Sequence, residues 1–275
     1  MRFFRRIFDL YLQGSMHVAL SAFCLIGITE MLLALVPNRY IEGFGYFGTI
    51  VGYNFIKYDA LARSGKPKLS LNLKLFITIS IFAFMGTAYC FFHLNLRTQI
   101  GAVLVFTITA LYTLPFFPNH KNARSWAGLK IYMVALSWVG VTVVLPVLNA
   151  EAVLTGVFYI ICLKRFILIV VLLFIFEIID LAYDDPHLKT IPQQIGVGNT
   201  KKLGIVLLLF FLLLEIFQSA KNLPYMIANI ILLIIPAVFL CMANEKRSYY
   251  YTAFWVESIP ILWWLVLRFL PVRSF

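Results

Sequence analysis

Nine long apolar runs, each closed off by a short polar stretch, constrain this chain more than any other feature. They cover about 16–36, 42–58, 72–92, 99–117, 129–148, 155–180, 202–218, 224–241 and 251–270. A bilayer crossing takes roughly 20 apolar residues in a helix, the element that satisfies its backbone N–H and C=O groups within one segment. The expected fold is therefore all-α: a polytopic membrane protein with a bundle of about nine transmembrane helices, one domain over residues 1–275. Composition agrees. The chain is 62% hydrophobic and 13% charged, with a mean hydropathy of +0.90, against about 45–50% and about 25% in ordinary soluble domains. Soluble nucleotide-binding folds, secreted disulfide scaffolds and nucleic-acid-binding proteins are excluded. Pro37, Pro118 and Pro224 stand at run ends, where proline belongs.

The net charge of +11 is read as topology, because Lys and Arg accumulate in cytoplasmic loops. With nine spans, sixteen of the 23 Lys and Arg residues fall on the side of the N-terminus and seven on the other. The N-terminus is thus expected in the cytoplasm. Residues 1–15 place Arg2, Arg5, Arg6, Asp9 and Gln13 on one helical side and Phe3, Ile7 and Leu10 on the other. That is the pattern of an amphipathic interfacial segment. Cys24, Cys90, Cys162 and Cys241 show no C-x-x-C spacing and read as buried free thiols.

Acids are scarce, and four of the twelve gather at the end of the sixth run in FEIIDLAYDD: Glu177, Asp180, Asp184 and Asp185. Positions 177, 180 and 184 share one helical face. Like charges about 5 Å apart repel by about 3 kcal/mol at an effective dielectric of about 20, and a helix C-terminus already disfavours anions. Such a cluster needs cations. Oxygen ligands without paired His or Cys suit Mg²⁺ before Zn²⁺, commonly completed by water and substrate phosphates. An acidic helix end salt-bridged to loop Lys and Arg is the alternative.

Two further polar foci belong to the same predicted side. GYNFIKYDALARSGKPK carries Asn54 inside the second run, Asp59 just beyond it, and Lys66. LYTLPFFPNHKNARSWAGLK offers Tyr112, Lys121, Arg124 and Lys130, basic groups able to clamp a diphosphate or simply to mark a cytoplasmic loop. Glu30, Glu215 and Glu257 fall within spans, where ionisable groups are costly. Lys164 and Arg165 are expected to snorkel to the opposite interface.

Together these foci resemble the UbiA superfamily of intramembrane prenyltransferases. DLAYDDPHLKTIPQQIG is similar to the family's second aspartate motif, with Asp180 and Asp184 in its D-x-x-x-D places and Thr190, Pro192 and Gly196 following. LYTLPFFPNHK resembles the family's Tyr-containing, Pro-rich basic loop. The first motif, commonly N-D-x-x-D-x-x-x-D, is degraded: Asn54 is followed by Phe55, Tyr58 and Ala62, and Asp59 stands one position off register. DALAR at Asp59–Arg63 misses the spacing of a CDP-alcohol phosphotransferase by one residue, which excludes that class.

The resemblance implies transfer of an isoprenyl group from an isoprenyl diphosphate to a membrane lipid or aromatic acceptor with Mg²⁺. It implies Asp180 and Asp184 as metal ligands, with Glu177 and Asp185 in support and Asn54 and Asp59 as the remnant of the opposite half-site. Lys121, Arg124, Lys130 and Lys66 would neutralise the departing pyrophosphate, and Tyr53, Tyr58, Tyr112 and Tyr183 would shield the allylic cation. A catalytically degenerate UbiA-like protein that binds an isoprenoid or a partner is the alternative, and a transporter is a third.

Overall fold

The computed structural model describes residues 2–63, 71–113, 128–184, 189–219 and 223–269. Among these, each of the nine predicted spans corresponds to a helix or a helical rod. Helix α1 (Arg2–Gln13) precedes α2 (Met16–Leu32), α3 (Arg39–Arg63), α4 (Leu71–Phe92) and α5 (Leu96–Thr113). The fifth span is one rod built from α6 (Leu129–Val139), a π-helical turn at Gly140–Val144, and α7 (Leu145–Asn149). Then follow α8 (Gly156–Asp180), α9 (Ile191–Ser219), α10 (Leu223–Met242), a π-helical turn at Tyr251–Val256 and α11 (Ile259–Phe269). Segments Leu73–Phe92, Lys130–Asn149, Gly156–Asp180 and Tyr251–Phe269 are each long and apolar enough to cross a bilayer, and α1 and α2 form a further pair bent by 58°. Exposed side chains such as Ile81, Phe82, Phe84 and Met85 cover the outside of α4, as lipid-facing helices require.

Loop contacts set the alternation of the helices. Asn95, between α4 and α5, donates its amide to the carbonyls of Leu148 and Asn149 at 3.1 Å each. The α2–α3 loop lines a cavity of about 330 Å³ together with Pro146, Asn149 and Ala150. Those three junctions share one end of the bundle. At the other end Lys57 and Tyr58, near the close of α3, reach Ser15 (3.2 Å) and the Gln13 carbonyl (3.2 Å) at the α1–α2 corner. The end of α8 and the starts of α6 and α9 lie there as well.

Helix α8 is the central rod, with Val171, Ile175 and Ile178 fully enclosed. It also carries two cations into the core. Arg165 is buried and donates to the Leu25 carbonyl (3.0 Å), to Thr142 Oγ1 (2.9 Å) and to Thr29 Oγ1 (3.3 Å). Pro146 has no N–H to offer the carbonyl four residues back. That carbonyl, on Thr142, instead accepts the Thr29 hydroxyl at 2.6 Å. The proline and π turn thus create the polar node that receives the guanidinium, tying α2, the fifth span and α8 together. Lys164 pairs with the fully buried Glu215 of α9 and donates to Gln218 Oε1 at 2.9 Å. Asn229 of α10 donates to Glu215 (2.8 Å), and Trp263 of α11 donates to Asn229 (2.8 Å). The expectation that Lys164 and Arg165 snorkel to an interface is therefore corrected. Both turn inward because the core supplies acceptors that lipid cannot. Cys24 and Cys90 are buried as expected, Cys162 is half-buried and Cys241 is exposed.

Helix α9 opens with local chemistry written in TIPQ. Thr190 is followed by Pro192 in the first turn, where no donor is lost. The Thr190 N–H is accepted by Gln193 Oε1 at 2.9 Å, one half of a capping box. Gly196 then breaks the helix at φ 79°, ψ 155°, a region essentially confined to glycine. The break lets the short opening segment of α9 lean over the end of α8.

Two outcomes follow. Lys164→Met, which strands a buried carboxylate, should cost about 3–5 kcal/mol in detergent unfolding. The double change with Glu215→Leu should recover most of it, and equal losses in both proteins would refute the pairing. Gly196→Ala should lose about 1–3 kcal/mol, whereas Gly198→Ala, whose added methyl meets open space, should be neutral or slightly stabilising.

Candidate functional site at the helix ends

The second aspartate motif occupies the end of α8 and the turn beyond it. The Asp180 carbonyl accepts the N–H groups of Tyr183 and Asp184 at 2.8 Å each, so the chain winds one more turn after the helix. That turn keeps Asp180 and Asp184 together, both half-buried. Glu177, one turn earlier, is buried and accepts the Ile191 N–H at 3.2 Å. A carboxylate at the start of α9 satisfies one of its unpaired donors and suits the positive end of the helix dipole. Glu177 therefore braces α9 against α8 as well as facing the acids. It feels the negative charges of Asp184 and Asp180, while Lys130 at the start of α6 supplies the opposing positive charge.

Two oxygens of this region are buried and have no hydrogen-bond partner among the described residues: Asp184 Oδ2 and Thr190 Oγ1. A third lies on α3. Asn54 is buried, its amide donates to Ser80 Oγ of α4 at 3.0 Å, and its Oδ1 likewise has no partner among the described residues. Buried acceptors left without donors are expensive and rare in native structures. Three at one end of the bundle, on the segments that carry the two polar foci, are what an oxygen-ligated cation or its hydration shell would satisfy. Among the described residues no three acidic, His or Cys side chains form a closed cage. Mg²⁺ does not require one, since it is commonly held by one or two carboxylates, waters and substrate phosphates.

The remaining candidates are placed as follows. Tyr53 accepts the Trp138 indole N–H at 3.2 Å, which links α3 to α6. Tyr58 stacks on Phe76 at 5.1 Å, and Tyr183 is 86% exposed. Asp59 and Tyr112 stand in α3 and α5, with side chains outside the described residues. Lys66, Lys121, Arg124 and Asp185 also lie outside the described residues. Sequence reasoning passed over Lys57 as a site residue and weighed Glu257 only weakly. Lys57 sits in FIKYD beside Asn54, and its positive charge acts on Glu257 between the second π turn and α11. Its signal, a lysine one helical turn past Tyr53 within an apolar span, was present but was counted as topology. Glu30, in contrast, is buried at the opposite end, where it accepts the Asn38 N–H at 3.2 Å.

Neither a protein-family model nor a curated protein sequence matches this chain. Solved structures do. The apo form of a UbiA homologue from Aeropyrum pernix K1 superposes with a TM-score of 0.67 at 14% identity, covering 92% of this chain and 98% of its own. A UbiA homologue from Archaeoglobus fulgidus bound to GPP and Mg²⁺ gives 0.61 at 14% identity, covering 94% and 97%. A digeranylgeranylglyceryl phosphate synthase gives 0.56 at 14% identity, covering 94% and 92%. At such identity the likeness is one of architecture, and it extends over nearly the whole length. The chain is an integral multi-pass membrane protein with the fold of the UbiA homologues.

Proposed function

We propose that this protein is a Mg²⁺-dependent membrane prenyltransferase, moving an isoprenyl group from an isoprenyl diphosphate to a lipophilic acceptor. The observation that carries the reading is Asp184 Oδ2, buried just past the end of α8 with no hydrogen-bond partner among the described residues, in a fold one of whose solved representatives is bound to GPP and Mg²⁺. We place the site on the cytoplasmic side, following the positive-charge bias of the loops, and treat residues 1–275 as one domain with α1 at the interface.

Asp180 and Asp184 would hold the metal, with Glu177 and Asp185 in support, and Asn54 Oδ1 and Asp59 offering oxygens from α3. Bound there, Mg²⁺ would draw charge from the leaving pyrophosphate. The chain's own groups do the remainder. The positive charge of Lys130 acts on Glu177, and with Lys66, Lys121 and Arg124 it would neutralise pyrophosphate as the C1–O bond breaks. The face of an aromatic ring lowers the energy of a nearby cation, the role assigned to Tyr53, Tyr58, Tyr112 and Tyr183. The acceptor's nucleophile bonds to C1 and releases its proton, and pyrophosphate departs.

A second reading is favoured by the α3 side. Asn54 spends its amide on Ser80, and positions 55, 58 and 62 are Phe, Tyr and Ala. On that reading the protein holds an isoprenoid without turning it over. Purified protein given radiolabelled isoprenyl diphosphates, Mg²⁺ and an acceptor mixture separates the two. Turnover that depends on Mg²⁺ and falls about 100-fold or more in Asp184→Asn is expected. Binding without pyrophosphate release by folded protein would establish the second reading, and absence of binding would remove both.

A further inference from the structure

The α3 side of the site carries a lysine whose surroundings suit neither a lipid-facing snorkel nor a simple topological charge. Lys57 follows Tyr53 by one turn, so the two lie about 40° apart on the same stripe of α3. Tyr53 is pinned to Trp138 of α6. From Trp138, α6 runs back eight residues, about 12 Å, to Lys130 beside Glu177. Lys57 lies about 6 Å beyond Tyr53 in the same direction. Both lysines therefore stand past the Tyr53–Trp138 contact, at the end of the bundle that holds Glu177, Asp180 and Asp184.

The lysine's immediate neighbours are a weak set of partners for an ammonium inside a helical bundle. Its Nζ donates to Ser15 Oγ at 3.2 Å, and Glu257 is the carboxylate that acts on it. The residue nevertheless keeps exposed surface. Ser15 is fully buried and held at a positive φ of 61° at the α1–α2 corner. Glu257 follows the second π turn, and π turns recur at functional sites.

We propose that Lys57 is a diphosphate-binding residue: an ammonium held by Ser15 Oγ and acted on by the Glu257 charge in the free protein, which engages the diphosphate from the α3 side while Asp180 and Asp184 serve the metal. This rests on the prenyl-diphosphate reading of the same site. It adds a positive charge to the α3 side, beside the oxygens that Asn54 and Asp59 offer there, and it gives Glu257 the role of a group that competes with the ligand for the ammonium.

The test uses the full chain in detergent and inorganic pyrophosphate, titrated calorimetrically with Mg²⁺ and again in EDTA. With Mg²⁺, Lys57→Ala should weaken binding about tenfold or more, as loss of a charge-assisted hydrogen bond predicts, and Lys57→Arg should retain most of it. Glu257→Gln should tighten binding by freeing the ammonium. In EDTA the wild type should keep a weak affinity that Lys57→Ala abolishes. Wild-type affinity in Lys57→Ala, with loss in Asp184→Asn, would overturn the Lys57 role and leave the prenyltransferase reading intact. Weakened binding in both Lys57→Ala and Glu257→Gln, matched by lowered thermal stability, would make the pair structural and overturn the proposal equally. A folded wild type that binds no pyrophosphate under either condition would remove the broader reading and this one with it.

Discussion

A guanidinium inside a lipid-spanning bundle must find its acceptors within the bundle, and the placement of Arg165 organises much of this protein. Three oxygens receive it: the Leu25 carbonyl and the Thr29 and Thr142 hydroxyls. They come from α2 and from the π turn of the fifth span, so the cation clamps α8 to two neighbours at once. The neutral partners matter. A buried ion pair must recover the desolvation of two charges, whereas here dipoles already inside the helices do the solvating. Pro146 contributes by leaving the Thr142 carbonyl available to Thr29. One missing N–H thereby becomes a helix–helix contact.

Rigidity around α8 has a consequence at its end. The helix that is locked by Arg165 and Lys164 in its first half delivers Glu177, Asp180 and Asp184 in its last turns. Acids that repel one another hold position only where the backbone is over-determined. Below them is the packed core of α8, and above them is the braced start of α9, where Glu177 takes the Ile191 N–H and Gly196 redirects the chain. The polar atoms without a partner among the described residues, Asp184 Oδ2, Thr190 Oγ1 and Asn54 Oδ1, are carried by these supported elements. In the function proposed above, that support would hold Asp180 and Asp184 in place before a cation binds.

Much of this was legible in the linear chain because lipid enforces simple rules. A spanning segment must be a helix of a certain length, so the nine runs could be marked from apolar length alone, and each has a helix among the described residues. The aspartate cluster was legible because acids are rare here and four of them share one helix end. TIPQQIG stood out only through the resemblance to the family motif; the cap at Thr190, the first-turn proline and the break at Gly196, which start α9 at Ile191 well before the apolar run, came from the structure. The inward cations were not legible. Lys164 and Arg165 lie near the start of a span, where snorkelling is the usual solution. Only Glu215 and Thr142, 51 and 23 residues away in the chain, made the interior the better solvent. Lys57 escaped for the same reason, since Ser15 and Glu257 are brought to it by packing.

The sequence by itself determined the class of the molecule, the places of its apolar helical runs and the identity of its acidic end, because each follows from composition and short-range periodicity. Tertiary structure decided what every ionisable side chain in the span region does. A charge in lipid is tolerable only beside the dipole or counter-charge that folding places there, and that partner comes from another helix at no fixed spacing in the chain.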